Sequence, residues 1–253
     1  MINTLLLQGY LWAPGEPGDG ALIGNQPDPT PNESEPNNEQ EPSAPVTTQV
    51  ELRSVRFYLT QVGAVGTEAG ANSLISTLQE QGTAGAYHYD GELYRVFAGI
   101  FAERAAADGL SILLKSMQID AFVKEMAWPT CKGELTGEAG AYFEVVKPAI
   151  AEMEETFSLL LSAQGLDRNQ IITLQSSIQE AQTTLAQARP AADFNQLHSK
   201  LVAASDKLKA ALDGARQFVE TANDNSRLLS ESRLIEFAEL YQQFASAIRN
   251  LLS

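Results

Sequence analysis

Cysteine is almost missing from this chain, and basic charge is scarce. One cysteine, Cys131, in 253 residues cannot form an internal disulfide. It is left as a free thiol, a link between two chains or a small buried hydrophobe, in a Pro129-Thr130-Cys131-Lys132-Gly133 stretch that reads as a linker. Lys and Arg number 17 against 32 Asp and Glu, a formal net charge of −15. That balance argues against nucleic acid as a partner, because phosphate binding needs clustered basic residues. It equally argues against electrostatic adhesion to anionic lipid. The two histidines, His88 and His198, fall in different predicted domains, and neither has metal-ligand spacing to a cysteine or to the other. No Gly-x-Ser-x-Gly and no phosphate-cradling glycine loop occurs. Glu154-Glu155 and the pair Glu236 and Glu239 lie on predicted helices, where they read as solvated faces. A glycosidase would need two carboxylates facing each other across a cleft, about 5–9.5 Å apart. No enzyme, metal or cofactor is therefore expected.

The first basic residue is Arg53. Residues 1–12 are apolar and end in Tyr10-Leu11-Trp12, aromatic like a membrane-surface segment. They are fewer than the roughly 20 residues that span a bilayer, and they carry no positive flank of a signal peptide. The expectation is an interfacial tail or the outer end of a truncated membrane anchor. Residues 13–52 are rich in Pro, Gly, Asn and Glu, a composition that cannot bury enough apolar surface to offset chain entropy. They read as an extended acidic linker.

Residues 53–128 hold an internal repeat offset by 36 positions: Tyr58 matches Tyr94, Gly63 matches Gly99, and Leu74 and Leu78 match Leu110 and Leu114. Each copy reads strand, helix, strand. The first strands, Val55 to Ala64 and Leu93 to Ile100, are β-branched or aromatic. The helices carry Ala71, Leu74 and Leu78, and Ala107, Leu110 and Leu114, at helical spacing. The closing strands are Gly85 to Tyr89 and Asp120 to Met126, and Asp90-Gly91 is a hairpin signal that joins the copies. The fold expected is α+β: a ferredoxin-like split β-α-β module with two helices on one face of a four-stranded antiparallel sheet. Alternation puts Thr60, Val62, Val96 and Ala98 under the helices. It puts Phe57, Leu59, Gln61, Leu93, Arg95 and Phe97 on the opposite, open face.

Residues 133–253 change to 3.6-residue periodicity. A first helix from about Glu138, broken or kinked at Pro148, ends near Gly165. A second is capped by Asp167 and carries Leu174, Ile178, Ala181 and Leu185. A third follows Pro190 with Phe194, Leu197, Leu201, Leu208 and Leu212. After a turn at Asn223–Ser226 a fourth carries Leu234, Phe237, Tyr241, Phe244, Ile248 and Leu251. Short connections predict an all-α helical bundle.

The unit at 53–128 resembles the SPOR (sporulation-related repeat) family. The resemblance rests on Gln61-Val62-Gly63, on Tyr94-Arg95-Val96 with Gly99-Ile100-Phe101, on the helix spacing, and on Asp120-Ala121-Phe122-Val123. It implies a module that binds peptidoglycan, particularly glycan strands stripped of their stem peptides. It also implies an extracytoplasmic protein of the bacterial cell envelope, tethered to the membrane and active in cell division or sporulation. Family binding faces use a strand-one Gln, a small polar residue three positions on, and an aromatic and an Arg on the third strand. Gln61 and Arg95 match; Ala64 stands at the small polar position and Leu93 at the aromatic one. Phe57, Leu59, Leu93 and Phe97 suit the apolar face of a sugar, Gln61 its hydroxyls, and Arg95 the lactyl carboxylate of muramic acid. The alternative is that the helical domain covers this face and docks a protein partner, since exposed apolar patches call for an explanation.

Overall fold

Among the described residues, alternating β-branched, aromatic and polar residues build six strands, and apolar residues at helical spacing build six α-helices. The computed structural model describes residues 47–128, 130–162 and 166–252. The apolar segment 1–12, the acidic linker up to residue 46 and the expected helix end at Gly165 lie outside these residues. Strand β1 is Thr47–Leu52. β2 (Val55–Val65), α1 (Glu68–Glu80) and β3 (Ala86–Tyr89) form the first repeat, and β4 (Tyr94–Phe101), α2 (Arg104–Ser116) and β5 (Phe122–Trp128) the second. Then come β6 (Cys131–Thr136), α3 (Gly137–Ser162), α4 (Arg168–Gln187), α5 (Asn195–Thr221) and α6 (Asp224–Leu252).

The repeats make one antiparallel sheet ordered β3-β4-β2-β5, the ferredoxin-like arrangement expected from the duplication. α1 and α2 cover one face through Ala71, Leu78, Val96, Ala98 and Leu114. Thr60 Oγ1 donates to the Ala107 carbonyl of α2. The hairpin between the copies is looser than a two-residue turn. Tyr89 pairs with Tyr94 around four loop residues, and only Gly91 takes positive φ, at 101°. The Asp90 side chain closes the loop instead, accepting from the N–H groups of Glu92 and Leu93 at 3.0 and 2.9 Å.

Two stretches expected to be linker are strands. β1 pairs antiparallel with β6, from Thr47 opposite Thr136 to Leu52 opposite Cys131. Thr48, Val50 and Leu52 alternate inward, and Cys131 and Leu135 meet them. Cys131 is thus a buried small hydrophobe, 3% exposed, and burial pushes its thiol pKa up.

The helical part follows the expected order with two differences. α3 runs through Pro148 unbroken. Pro148 lies on the exposed face with Glu144, so water can satisfy the carbonyl that lacks its N–H partner. α6 begins at Asp224 and leaves a turn of only Ala222 and Asn223, with Ala222 at φ 51°. Asp167 caps α4 in a reciprocal capping box with Gln170. α5 and α6 approach closely at Gly214, where a Cβ would sit 2.9 Å from the Ser226 carbonyl oxygen.

The sheet and the helices share one core. Phe57, Leu59, Phe97 and Trp128 from the sheet are contiguous with Phe143, Met153 and Phe157 of α3 and with Phe237, Tyr241 and Phe244 of α6. Trp128 lies at the centre, its ring 4.5 Å from Tyr241, 4.6 Å from Phe157 and 5.5 Å from Phe57. Glu154, read from sequence as solvated, is 2% exposed. It accepts from the Tyr241 hydroxyl at 2.6 Å and the Arg53 N–H at 3.1 Å. Its neighbour Glu155 does face water and pairs with Arg53 at 3.9 Å.

Phe57→Ala should lower stability by about 3–5 kcal/mol. It should also shift a single unfolding transition that melts sheet and helices together, read by urea denaturation with far- and near-UV signals. Desolvation raises the Glu154 pKa, so the folded state holds that proton more tightly than the unfolded chain. The associated stability is present at acid pH and is lost as pH rises through the folded pKa. Glu154→Gln keeps the acceptor oxygen and should flatten that segment of the stability–pH profile, measured by urea midpoints from about pH 4 to 8.

Candidate functional site

Strand parity would separate two residues three positions apart, yet Gln61 and Ala64 share a face. Register shifts flank Gln61: it pairs with Phe97, and pairing resumes with Gly63 opposite Val96 and Ala64 opposite Arg95. The extra residue at Val62 flips the parity, as a bulge does. The Gln61 amide supports this bend by donating to the Gly63 carbonyl at 3.2 Å. Phe57, Leu59, Gln61, Ala64, Arg95 and Phe97 therefore all lie on the face opposite α1 and α2, where alternation had placed five of them.

That face is not open along its length. Phe57, Leu59 and Phe97 are at most 1% exposed, and Gln61 is 3% exposed. α3 and α6 cover the apolar part, because three large side chains in a row gain more from burial than from water. These four residues are thus inaccessible to any external ligand in this conformation. Only one end stays uncovered. Ala64 is exposed, Leu93 is half-buried, and the Arg95 side chain is 34% exposed.

Residues 54–125 match the family model for the SPOR domain. This stretch of the chain is a SPOR domain. The solution structure of the peptidoglycan-binding domain of the B. subtilis cell wall lytic enzyme CwlC is similar to it, at 31% identity over 29% of this chain and 94% of that one, with a TM-score of 0.28. Comparison with the curated proteins gave no match.

The uncovered end of the SPOR domain is electrostatically organised. Arg95 Nε bonds Asp90 Oδ2, so the hairpin loop holds the guanidinium. The two loop N–H groups and Arg95 together pull the Asp90 pKa down to about 2. The Arg95 side chain makes no other hydrogen bond among the described residues. Phe122, 54% exposed, is the cross-strand partner of Gln61. Sequence reasoning quoted Phe122 for its motif but did not assign it to the site; its place on the closing strand opposite Gln61 was the available signal.

Beyond Arg95 the same row reaches β3, the sheet edge, at His88. There a cleft of about 860 Å³ opens between the SPOR domain and α6. His88 Nδ1 lies 3.7 Å from Glu239 Oε2 and 3.5 Å from the Gln243 amide. Glu239, expected on a solvated face, is 9% exposed, and desolvation raises its pKa against the opposing charges of His88 and Lys124. No helix among the described residues is long and apolar enough to cross a membrane.

The hairpin clamp generates a direct expectation. Asp90→Asn removes the charge that holds Arg95 but keeps an acceptor for the loop N–H groups. Exchange between conformers of the guanidinium should rise, read as loss of the slow-exchanging Arg95 Nε–H signal by NMR, with the fold intact.

Proposed function

We propose that the SPOR domain binds peptidoglycan, non-catalytically, through the uncovered end of its sheet face. The reading is supported by the family match and by the 31% identity to the peptidoglycan-binding domain of CwlC. The observation that carries it is Arg95: a guanidinium positioned by Asp90 and accessible beside Leu93 and Ala64. Arg95 would take the lactyl carboxylate of a muramic acid residue through its planar fork. Leu93 and the exposed Phe122 ring offer apolar surface for a sugar face. The preferred ligand is a glycan strand without stem peptides, whose carboxylate is free. The protein would work outside the cytoplasm in the bacterial cell envelope, in division or sporulation, with the acidic linker and the apolar N-terminal segment as its tether.

A second reading has its own observation. Phe57, Leu59 and Phe97 are sealed under α3 and α6, as in an interaction protein whose helical part docks a protein partner and whose sheet serves only as a scaffold.

Co-sedimentation of the whole chain with cell-wall sacculi, intact or treated with an amidase that removes stem peptides, separates the two. Binding should increase on treated wall, and Arg95→Ala should weaken it about tenfold, the scale of one charge-assisted hydrogen bond. Absence of pelleting on both walls by a natively folded chain would favour the scaffold reading.

A further inference from the structure

The cleft between β3 and α6 is lined by charged side chains and amides. The Glu239 side chain, 11% exposed, lines it and pairs with His88 at 3.7 Å, and its carboxylate accepts no hydrogen bond among the described residues. An ionised carboxylate has room for further donors, and this one reaches them through the cleft. The other charges are already matched: Glu236 pairs with Lys207 and with Arg233, each at 2.6 Å. Beside Glu239 stand two amides: Gln243, whose oxygen accepts from Lys200 and whose nitrogen meets His88, and Asn72. An anionic ligand would meet Glu239 and be repelled. A neutral ligand bearing hydroxyl and amide N–H donors would satisfy it.

We infer that α6 completes a composite glycan site, with the cleft holding the sugar next to the one bound at Arg95. This rests on glycan binding by the SPOR domain. Ala64, Arg95 and His88 are successive cross-strand neighbours on β2, β4 and β3, so the row leads from the uncovered face directly into the cleft. Neighbouring strands lie about 4.8 Å apart, a step suited to adjacent sugar rings. The two positions differ in charge, and so do the two alternating sugars. The one with a lactyl carboxylate belongs at Arg95, and N-acetylglucosamine, which has none, belongs at Glu239. The helical part is then a wall of the binding site as well as the cover of the apolar face.

The test uses the whole chain and both kinds of sacculi. Glu239→Ala and Gln243→Ala should each weaken pelleting on amidase-treated wall about tenfold, while the unfolding midpoint of Glu239→Ala stays equal to or above that of the unsubstituted chain. Asn72→Trp, at an exposed position on α1 that lines the cleft, fills it and should weaken pelleting without altering stability. If Arg95→Ala weakens binding and all three cleft variants bind like the original, the composite site is wrong and glycan binding at Arg95 survives. If the cleft variants weaken binding only to untreated wall, the occupant is a stem peptide and the sugar assignment is wrong. If the unsubstituted chain pellets with neither wall, glycan binding itself fails.

Discussion

Everything in the described structure depends on one apolar surface finding cover. A four-stranded sheet with two helices on one side leaves its other side carrying Phe57, Leu59, Phe97 and Trp128. Side chains of that size each contribute on the order of 2 kcal/mol when taken out of water. α3 and α6 provide the cover, and Trp128 joins the two sets of rings. The SPOR domain and the helices consequently share one continuous apolar core, although their sequences have different periodicities.

This cover dictates where chemistry remains possible. It takes away the centre of the sheet face and spares the row that ends it, where the bulge at Val62 has turned Ala64 to the same side as Gln61. It also brings α6, with Glu239 and Gln243, against the sheet edge at His88. Burial thus removes one surface and creates another, and both follow from the same helix placement.

Local signals in the sequence carried the local structure. The 36-residue duplication specified the strand order, Asp167 the start of α4, and Leu174 to Leu185 its buried stripe. Long-range pairing was harder to read. Thr48-Gln49-Val50-Glu51-Leu52 alternates as a strand should, but it borders an acidic tract, and its partner β6 lies some eighty residues on. Alternation identified which side chains share a face and was silent on what lies above them, since two packed elements leave no joint periodicity. The buried states of Glu154 and Glu239 were hidden for the same reason. A carboxylate on a helix reads as solvated until the facing element, Tyr241 for one and β3 for the other, is known.

The β1–β6 ribbon also has a mechanical meaning. It clips the chain together just before and just after the SPOR domain, with Thr47 opposite Thr136 at the end that leads into α3. Tension arriving along the N-terminal side at Thr47 crosses this ribbon to the helical body before it reaches the sheet. The SPOR domain hangs as a closed loop off the line of force, so a pull on the chain would load the ribbon first and leave the geometry around Arg95 undisturbed.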